Sequence, residues 1–207
     1  VVNMINLSYR NVAALQKAAD MIAAGEIGAV RHFEASYLQS WLTQSVWGDW
    51  RTEPGWLWRL STAHGSKGAL GDVGIHIVDF ATFAAGSAPH SVSCRTAVFH
   101  KAPDDRIGEY VLDANDSFVM HMDLANGAIG TITASRFASG HHNDLRLRIY
   151  GDKGGLQVLF DGGSMGWGSL FLAARSGSAL GRVVADAAGV WPHRRAAALE
   201  CVACREV

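Results

Sequence analysis

The feature that most constrains this chain is a glycine-rich run at residues 68–86, GALGDVGIHIVDFATFAAG. Read with the 3.6-residue period of an α-helix, its larger apolar side chains form one stripe, whereas Asp72, His76 and Asp79 fall on another face. A carboxylate one turn from an imidazole can orient a histidine and tune its charge for proton transfer. The run therefore predicts a helix that packs on a core and carries chemistry on its other side.

Three glycines, Gly68, Gly71 and Gly74, recur at the start of this predicted helix. Glycine lowers helix stability, so the spacing predicts a backbone held close to another surface or to a ligand. An aspartate and a histidine four residues apart on a helix are also common as an ordinary surface or interdomain pair. The residues alone leave both interpretations of Asp72 and His76 open.

Composition narrows the class of protein. With 207 residues, of which 49% are hydrophobic and 18% charged, the chain can bury one substantial core. The formal net charge of −1 gives no field that would attract nucleic acid or an anionic membrane. We find no apolar run long enough to span a bilayer and no signal segment, which predicts a cytoplasmic protein.

The cysteines point to a reducing compartment. Cys94, Cys201 and Cys204 are too few for a disulfide framework. The last two form a single C-x-x-C pair, which without a second pair is more often coincidence than a zinc or redox site. Asp72 and His76 supply two ligands where a catalytic zinc site needs three, so we expect no metal.

The rest of the chain predicts an α+β fold, with an open-faced, largely antiparallel or mixed sheet and helices packed on one face. A helix capped by Asn11 and ended by Gly25 comes first, and Met120 and Met122 are expected in the core or an interface. Alternating apolar residues mark the strands, and the Asn126-Gly127 turn joins two of them. The expected strands are residues 30–41, 92–101, 118–124, 128–137, 145–150 and 156–160.

Five tryptophans fall in one loop-like stretch, and aromatic rings beside a polar pocket suit the apolar faces of sugars or polyols. We expect most of them to pack the loop onto the domain, with only Trp58 near a substrate. Residues 161–168, DGGSMGWG, lack the spacing of a dinucleotide fingerprint and are interpreted as a turn, and the glycines around Lys67 lack P-loop spacing. The five tryptophans are Trp41, Trp47, Trp50, Trp56 and Trp58.

Three separated segments carry a family resemblance. The run GALGDVGIHIVDF, with Trp58-Arg59 upstream, resembles the glycine-rich helix of the glucose-fructose oxidoreductase and inositol dehydrogenase family, Gfo/Idh/MocA. Residues 134–160 resemble the closing strands of that family, and residues 6–28 resemble the start of its second domain. The matches occur in the family's order over residues 6–160.

The resemblance implies a substrate-binding and oligomerisation domain over residues 1–172, followed by a tail of uncertain structure over residues 173–207. It implies an NAD(P)-dependent oxidoreductase acting on a sugar, polyol or related hydroxyl compound, whose NAD or NADP is bound mainly by a preceding Rossmann domain. Because the chain begins with Val1 and lacks the family's E-K-P segment, we expect that residues preceded it and that this piece alone is inactive.

The resemblance also implies roles for single residues. His76 would exchange a proton with a substrate hydroxyl, and Asp72 would orient His76 or hold a neighbouring hydroxyl. Five residues are candidates for further substrate contacts, and Lys67 could face an anionic substrate such as a sugar acid. An exposed loop lysine is the commoner case for Lys67, and a solvated Arg10 with a half-buried Tyr9 is the alternative for those two residues. Asp79 is expected to cap or pair structurally rather than touch substrate. These five are Tyr9, Arg10, Trp58, Arg59 and Lys67.

Two departures from the family pattern, Ile75 and Lys67, leave the substrate open. Alternatives to a dehydrogenase are a dimerising or sugar-binding module without redox activity, and a redox-assisted lyase or glycosidase. The open sheet face is expected to form a homo-oligomer.

Overall fold

A computed structural model gives the structure of the chain and describes residues 6–45, 47–161, 168–174 and 181–183. The fold is α+β, as predicted. One eight-stranded sheet carries helices on one face. Its strands are β1 (Val30–Leu38), β2 (Pro89–Ala97), β5 (Ser117–Leu124), β6 (Ile129–Ser135), β7 (Asp144–Gly151), β8 (Gly154–Asp161), β9 (Gly168–Ala174) and β10 (Gly181–Val183). They lie side by side in the order β10-β9-β8-β7-β1-β6-β5-β2. A separate hairpin pairs β3 (Arg106–Ile107) with β4 (Tyr110–Val111).

The sheet is antiparallel except at its centre, where β1 runs parallel to β6. Consequently the carboxyl ends of β1 and β6 lie at one edge of the sheet, together with the amino end of β7. This arrangement brings three strand ends from distant parts of the sequence to one place.

Two helices cover one face of the sheet. Helix α1 (Ala13–Ala23) packs on β8 and β9, and α3 (Ile75–Ala85) packs on β1 and β7. A short helix, α2 (Pro54–Leu57), lies in the tryptophan-rich loop. In the part of the chain that the structure describes, no helix is long and apolar enough to cross a bilayer.

Strict alternation explains why the core lies on the helical side. Phe33, Ala35 and Tyr37 of β1 are buried, whereas the side chains between them are exposed or half-buried. Met120 and Met122 of β5 are buried in the same core, as predicted. The apolar stripe of the central helix joins them through Val73, Ile77, Phe80, Ala81 and Ala84, with Leu70 partly buried against the cluster.

The central helix begins with a π-helical turn, Leu70–Gly74, which continues directly into α3. Its glycines allow close approach to the protein itself, because an added Cβ would overlap Asn115 at Gly68, Lys67 at Gly71 and would touch Phe118 at Gly74. The helix ends at Gly86, whose φ of 60° suits glycine. The prediction of close backbone approach is confirmed, and the surface approached belongs to the chain.

Several predicted boundaries are wrong. Asn11 does not cap α1, because Ser8–Asn11 form a 3-10 turn and Val12 stands at the cap position without a side-chain hydrogen bond. Strand β2 was expected over residues 92–101 but runs from Pro89 to Ala97. It ends early because the chain turns into a loop in which the Phe99 amide donates to the Asp116 carboxylate. Strand β9 reaches Ala174 and pairs with β10, and the domain boundary expected at residue 172 stays a prediction.

Some sequence hypotheses concern residues outside those described. These are the C-x-x-C pair Cys201 and Cys204, most of the 161–168 segment and the end of the predicted tail. Cys94, on the edge strand β2, is free and exposed.

Gly130 provides a test of sheet packing. It faces Phe33 across the parallel β1–β6 pair, and a Cβ there would lie 2.4 Å from the Phe33 carbonyl oxygen and 2.5 Å from its ring. We expect Gly130→Ala to lower the free energy of unfolding by about 1–3 kcal/mol through overpacking. Urea denaturation measures this change. Gly55→Ala, which meets nothing within 4 Å, is the control, and an equal loss in both variants would contradict the packing argument.

Candidate active site

A cavity of about 440 Å³ opens where the carboxyl ends of β1 and β6 and the amino end of β7 meet the start of the central helix. That volume lies within the range of small-molecule sites. Side chains of four kinds surround it: amides and a phenol from the strand ends, indoles from the loop, ionisable groups from the helix and loop, and one apolar side chain from the helix. The lining residues are Tyr37, Gln39, Trp41, Trp47, Trp56, Arg59, Asp72, Val73, His76 and Asn143.

His76 lies half-buried in the first turn of α3. Among the described residues its buried Nδ1 has no hydrogen-bond partner, and its ring stands edge to face with Tyr9, with the ring centroids 5.2 Å apart. A buried atom cannot reach a ligand in the cavity, so Nε2 is the nitrogen available for chemistry. No hydrogen bond between His76 and Asp72 occurs among the described residues, and the hypothesis that Asp72 orients His76 through such a bond is not supported.

Asp72 is held by arginines. Its Oδ2 accepts a hydrogen bond of 2.7 Å from Arg136 Nη2, and Arg59 Nε lies 3.8 Å from the same oxygen. Arg136 has 0% exposed surface, whereas the Asp72 side chain is 40% exposed. Buried Arg136 therefore fixes the Asp72 carboxylate, while the exposed part of the Asp72 side chain lines the cavity.

The contacts of Arg136 tie together several segments. Its Nη1 donates to the Arg59 carbonyl oxygen at 3.1 Å, and its guanidinium lies 5.1 Å from the centre of the Trp41 ring. Burial lowers the pKa of Arg136, and the Asp72 carboxylate opposes that effect. Arg136 Nε has no partner within the described residues, so Asp72 is the main compensation for this buried charge.

A second buried pair lies beneath Arg136. Lys101 Nζ and Asp116 Oδ2 are 2.9 Å apart, with side-chain exposures of 1% and 0%. The Phe99 amide also donates to Asp116, and the Arg136 amide donates to the Asp116 carbonyl oxygen. Burial raises the pKa of Asp116, although the Phe99 amide and Lys101 lower it. The pair fixes the backbone from which Arg136 projects.

Three indoles form one wall of the cavity. Trp47 and Trp56 stack with their ring centroids 5.8 Å apart and an interplanar angle of 8°, and Trp41 lies 5.2 Å from Trp56. Trp58 was the tryptophan expected near the substrate, but it does not line the cavity. It is 40% exposed, and Arg59 stacks over its ring at 4.6 Å.

The other predicted contact residues differ in position. Arg59 lines the cavity, whereas Tyr9 stands behind Tyr37 and His76. Arg10 points away, because both oxygens of Asp79 bind its guanidinium, and this confirms the structural pairing of Asp79.

Lys67 is exposed and does not line the cavity, so the structure does not bring it to the site. Within the described ranges, no group of three or more His, Cys, Asp or Glu side chains could hold a metal ion.

Comparison with known proteins identifies the family. The model of the GFO/IDH/MocA C-terminal domain matches residues 15–157, more than half of the chain. The chain belongs to this family.

Relatives of this GFO/IDH/MocA domain are oxidoreductases. This chain is 28% identical over 171 residues to levoglucosan dehydrogenase from Pseudarthrobacter phenanthrenivorans, and the match covers 75% of this chain and 42% of that protein. Among solved structures, an oxidoreductase domain protein from Kribbella flavida is 31% identical with a TM-score of 0.73, over 91% of this chain and 51% of that one.

Levoglucosan dehydrogenase in complex with NADH and levoglucosan is similar as well. It is 26% identical with a TM-score of 0.73, over 92% of this chain and 50% of that one. The chain thus spans about half the length of the relatives it matches.

Four residues in or beside the cavity of this GFO/IDH/MocA domain were not predicted from the sequence: Arg136, Asn143, Gln39 and Tyr37. A signal for them exists in the period of two along each strand. Every second residue of β6 is buried, and the next residue in that series after the strand ends is Arg136. In β1 the same series includes Tyr37, and Gln39 is its next member after the strand ends. Continued backwards from β7, the same alternation reaches Asn143. Polar residues at inward positions of strand ends were the available clue.

Arg136 is the residue on which we expect site stability to depend. Arg136→Lys keeps the charge but cannot reach Asp72 and the Arg59 carbonyl together, so we expect a loss of about 1–3 kcal/mol in unfolding free energy. Arg59→Lys is the matched control, with an expected loss below about 1 kcal/mol because its ion pair is long and partly exposed. Urea denaturation of both variants measures the difference, and equal losses would show that Arg136 is not the main anchor.

Proposed function

We propose that this domain is the substrate-binding and catalytic half of an NAD(P)-dependent dehydrogenase that oxidises a hydroxyl of a sugar, polyol or related compound by hydride transfer. The observation that carries the proposal is that His76 and Asp72 share one cavity with a wall of indoles and amides. An acid-base group, a fixed carboxylate and aromatic faces are the components that recognition and oxidation of a polyhydroxylated compound need. The similarity to levoglucosan dehydrogenase supports it.

His76 is the group that we assign to proton transfer. Because Nδ1 is enclosed, Nε2 takes the proton of the substrate hydroxyl during oxidation and returns it during reduction. The edge-to-face contact with Tyr9 holds the imidazole ring in place. His76 therefore acts without a carboxylate hydrogen-bonded to Nδ1.

Asp72 is assigned to substrate positioning. Both arginine contacts go to Oδ2, so Oδ1 is the oxygen we assign to a substrate hydroxyl. A carboxylate can only accept hydrogen bonds, and the hydroxyl must therefore donate. Two roles for Asp72 were considered from the sequence, orienting His76 and holding a neighbouring hydroxyl. We assign the second role to Asp72.

The dinucleotide is assigned to another part of the protein. The glycine-rich start of the central helix cannot cradle a pyrophosphate, because Asn115, Lys67 and Phe118 of the same chain already occupy the space beside its glycines. Bound next to the cavity, a nicotinamide ring would supply the hydride acceptor. The described residues hold the substrate side of such a site.

The open face of the sheet is the surface we assign to self-association. It carries charged and polar side chains such as Glu34, Thr133 and Arg148 around a groove, and exposed apolar ones such as Val119 and Ile129. No helix among the described residues covers this face, and a broad uncovered sheet face is typical of an interface between protein copies. We therefore propose a homo-oligomer, and the exposed Cys94 thiol is consistent with a cytoplasmic location.

Sedimentation analysis tests the interface. Ile129→Glu places a charge on the open face and is expected to lower the association constant at least tenfold, because burying an unpaired carboxylate is costly. Val92→Glu is the control. Val92 is as exposed as Ile129, but it lies opposite buried Met122 on the neighbouring strand and therefore on the helical face of the sheet, not on the open face. Dissociation of both variants to the same extent would contradict the assignment to the open face.

Steady-state kinetics tests the function. The protein as its gene encodes it is expected to reduce NAD or NADP when supplied with neutral sugars such as levoglucosan. His76→Gln should lower kcat by roughly 100-fold or more, the scale of a lost general acid-base, with dinucleotide affinity nearly unchanged. His90→Gln, at an exposed position of the edge strand, should keep full activity.

Other outcomes of this assay identify the alternatives. A kcat for His76→Gln within a factor of a few of the parent value would contradict the assignment of His76. Sugar binding without dinucleotide reduction would favour a binding module, and sugar cleavage without net dinucleotide reduction would favour a redox-assisted lyase or glycosidase.

A further inference from the structure

A hydrogen-bond network along one wall of the cavity begins at Trp41, and the indole of Trp41 determines which group donates and which accepts in the contacts that follow. Trp41 is buried, and its Nε1–H donates to Gln39 Oε1 at 3.3 Å. An indole N–H can only donate, so the Gln39 amide must turn its oxygen towards Trp41 and its nitrogen away. The orientation of Gln39 therefore follows from Trp41.

The fixed amide of Gln39 in turn fixes Asn143. Gln39 Nε2 donates to Asn143 Oδ1 at 2.9 Å, and the Tyr37 hydroxyl donates to the same oxygen at 2.6 Å. Burial raises the pKa of Tyr37, so its hydroxyl stays protonated and continues to donate. Two donors occupy both lone pairs of Oδ1, and rotating the amide would place N–H groups against N–H groups.

The network closes through Tyr9. Asn143 Nδ2 donates to the Tyr9 hydroxyl at 3.0 Å, and the Tyr9 and Tyr37 hydroxyl oxygens are 2.6 Å apart. Because Tyr37 gives its proton to Asn143, Tyr9 is the donor to Tyr37. The three groups form a ring in which each donates to the next, and Tyr9 is a positioning residue.

Counting the remaining valences shows what this wall offers to a ligand. Among the described residues, Asn143 has one unused group, the second N–H of its amide. Within the same residues, Gln39 has one unused N–H and one oxygen lone pair. Both residues line the cavity, and leaving N–H groups without partners when a ligand excludes water costs binding energy.

From this count we propose that the free N–H groups of Asn143 and Gln39 donate to one acceptor oxygen of the substrate, and that they select neutral sugars with such an oxygen opposite Asp72. The proposal rests on the proposed function and defines its substrate class more narrowly. Asp72 accepts, so the substrate must donate a hydroxyl proton on that side. On the amide side it must present a ring, bridge, carbonyl or hydroxyl oxygen that accepts.

Calorimetric titration of the protein as its gene encodes it tests this polarity. Saturating NADH or NADPH is present, because a reduced dinucleotide cannot accept hydride and the sugar is not oxidised. The first probes are levoglucosan, L-sorbose and D-glucose. Deoxy and deoxyfluoro forms of the tightest binder follow, together with its analogue in which CH2 replaces the ring oxygen.

A carbon-bound fluorine accepts weakly but cannot donate, whereas the deoxy and CH2 groups do neither. We expect one oxygen position at which loss of the acceptor weakens binding by roughly 3- to 10-fold, the range of one hydrogen bond. If that position is a hydroxyl, the deoxyfluoro sugar should bind more tightly than the deoxy sugar there.

Isosteric variants assign that position to the amides. Asn143→Asp keeps the oxygen that accepts from Tyr37 and Gln39 but removes the N–H groups, so binding of the parent sugar should weaken roughly tenfold or more. The preference for an acceptor at the sensitive position should also disappear, which a purely structural role would not cause. Gln39→Glu should act in the same direction, and it serves as the second variant if Asn143→Asp does not fold.

Asn126→Asp is the matched control, because Asn126 lies in a hairpin turn away from the cavity and its Oδ1 accepts from the backbone. It should bind every probe as the parent protein does. Unchanged affinity and unchanged acceptor preference in the folded Asn143 and Gln39 variants would overturn the proposal while sugar binding stands. Absence of binding by the parent protein to all probes would overturn the proposed function as well.

Discussion

The candidate site depends on one buried charge, that of Arg136. Its guanidinium has no exposed surface and connects the end of β6, the start of the central helix, the backbone at Arg59 and the ring of Trp41. A buried guanidinium is costly unless it is paired, and Asp72 provides the pairing at the point where the cavity begins. The carboxylate assigned to substrate binding is thus also the partner that permits this charge inside the protein.

The architecture was predictable from the sequence because it follows from periodicity. Alternation with a period of two identified the strands around the core, and the period of 3.6 identified the central helix and its buried stripe. Strand ends were less predictable, since a side chain such as Asp116 can bind a loop amide and end a strand early. The predicted cap at Asn11 was wrong for a different local reason, because a 3-10 turn takes in Asn11 and leaves Val12 at the cap position of α1.

The site was predictable only in part, because its residues meet through topology. Asp72 and His76 were proposed as site residues from their spacing on one helix, and both line the cavity. The relation between them was not predictable, since Arg136 is distant in sequence and its contact with Asp72 depends on how β6 is placed beside the helix. Likewise, no local pattern separates Trp58 from the tryptophans that form the wall, whose positions depend on mutual stacking.

The distribution of charge around the cavity is part of the argument for the neutral substrate proposed above. Arg136 is enclosed and bound to Asp72, and Arg59 stacks on Trp56 and Trp58 while donating to the Gly55 carbonyl oxygen. Lys67, which could have faced an anion, lies outside the lining. The described lining therefore offers the Asp72 carboxylate with the Arg59 guanidinium beside it, the His76 imidazole, amide N–H groups and indole faces. A substrate carboxylate would meet the charge of Asp72, and the lining guanidinium that could balance it is Arg59, which already lies against Asp72.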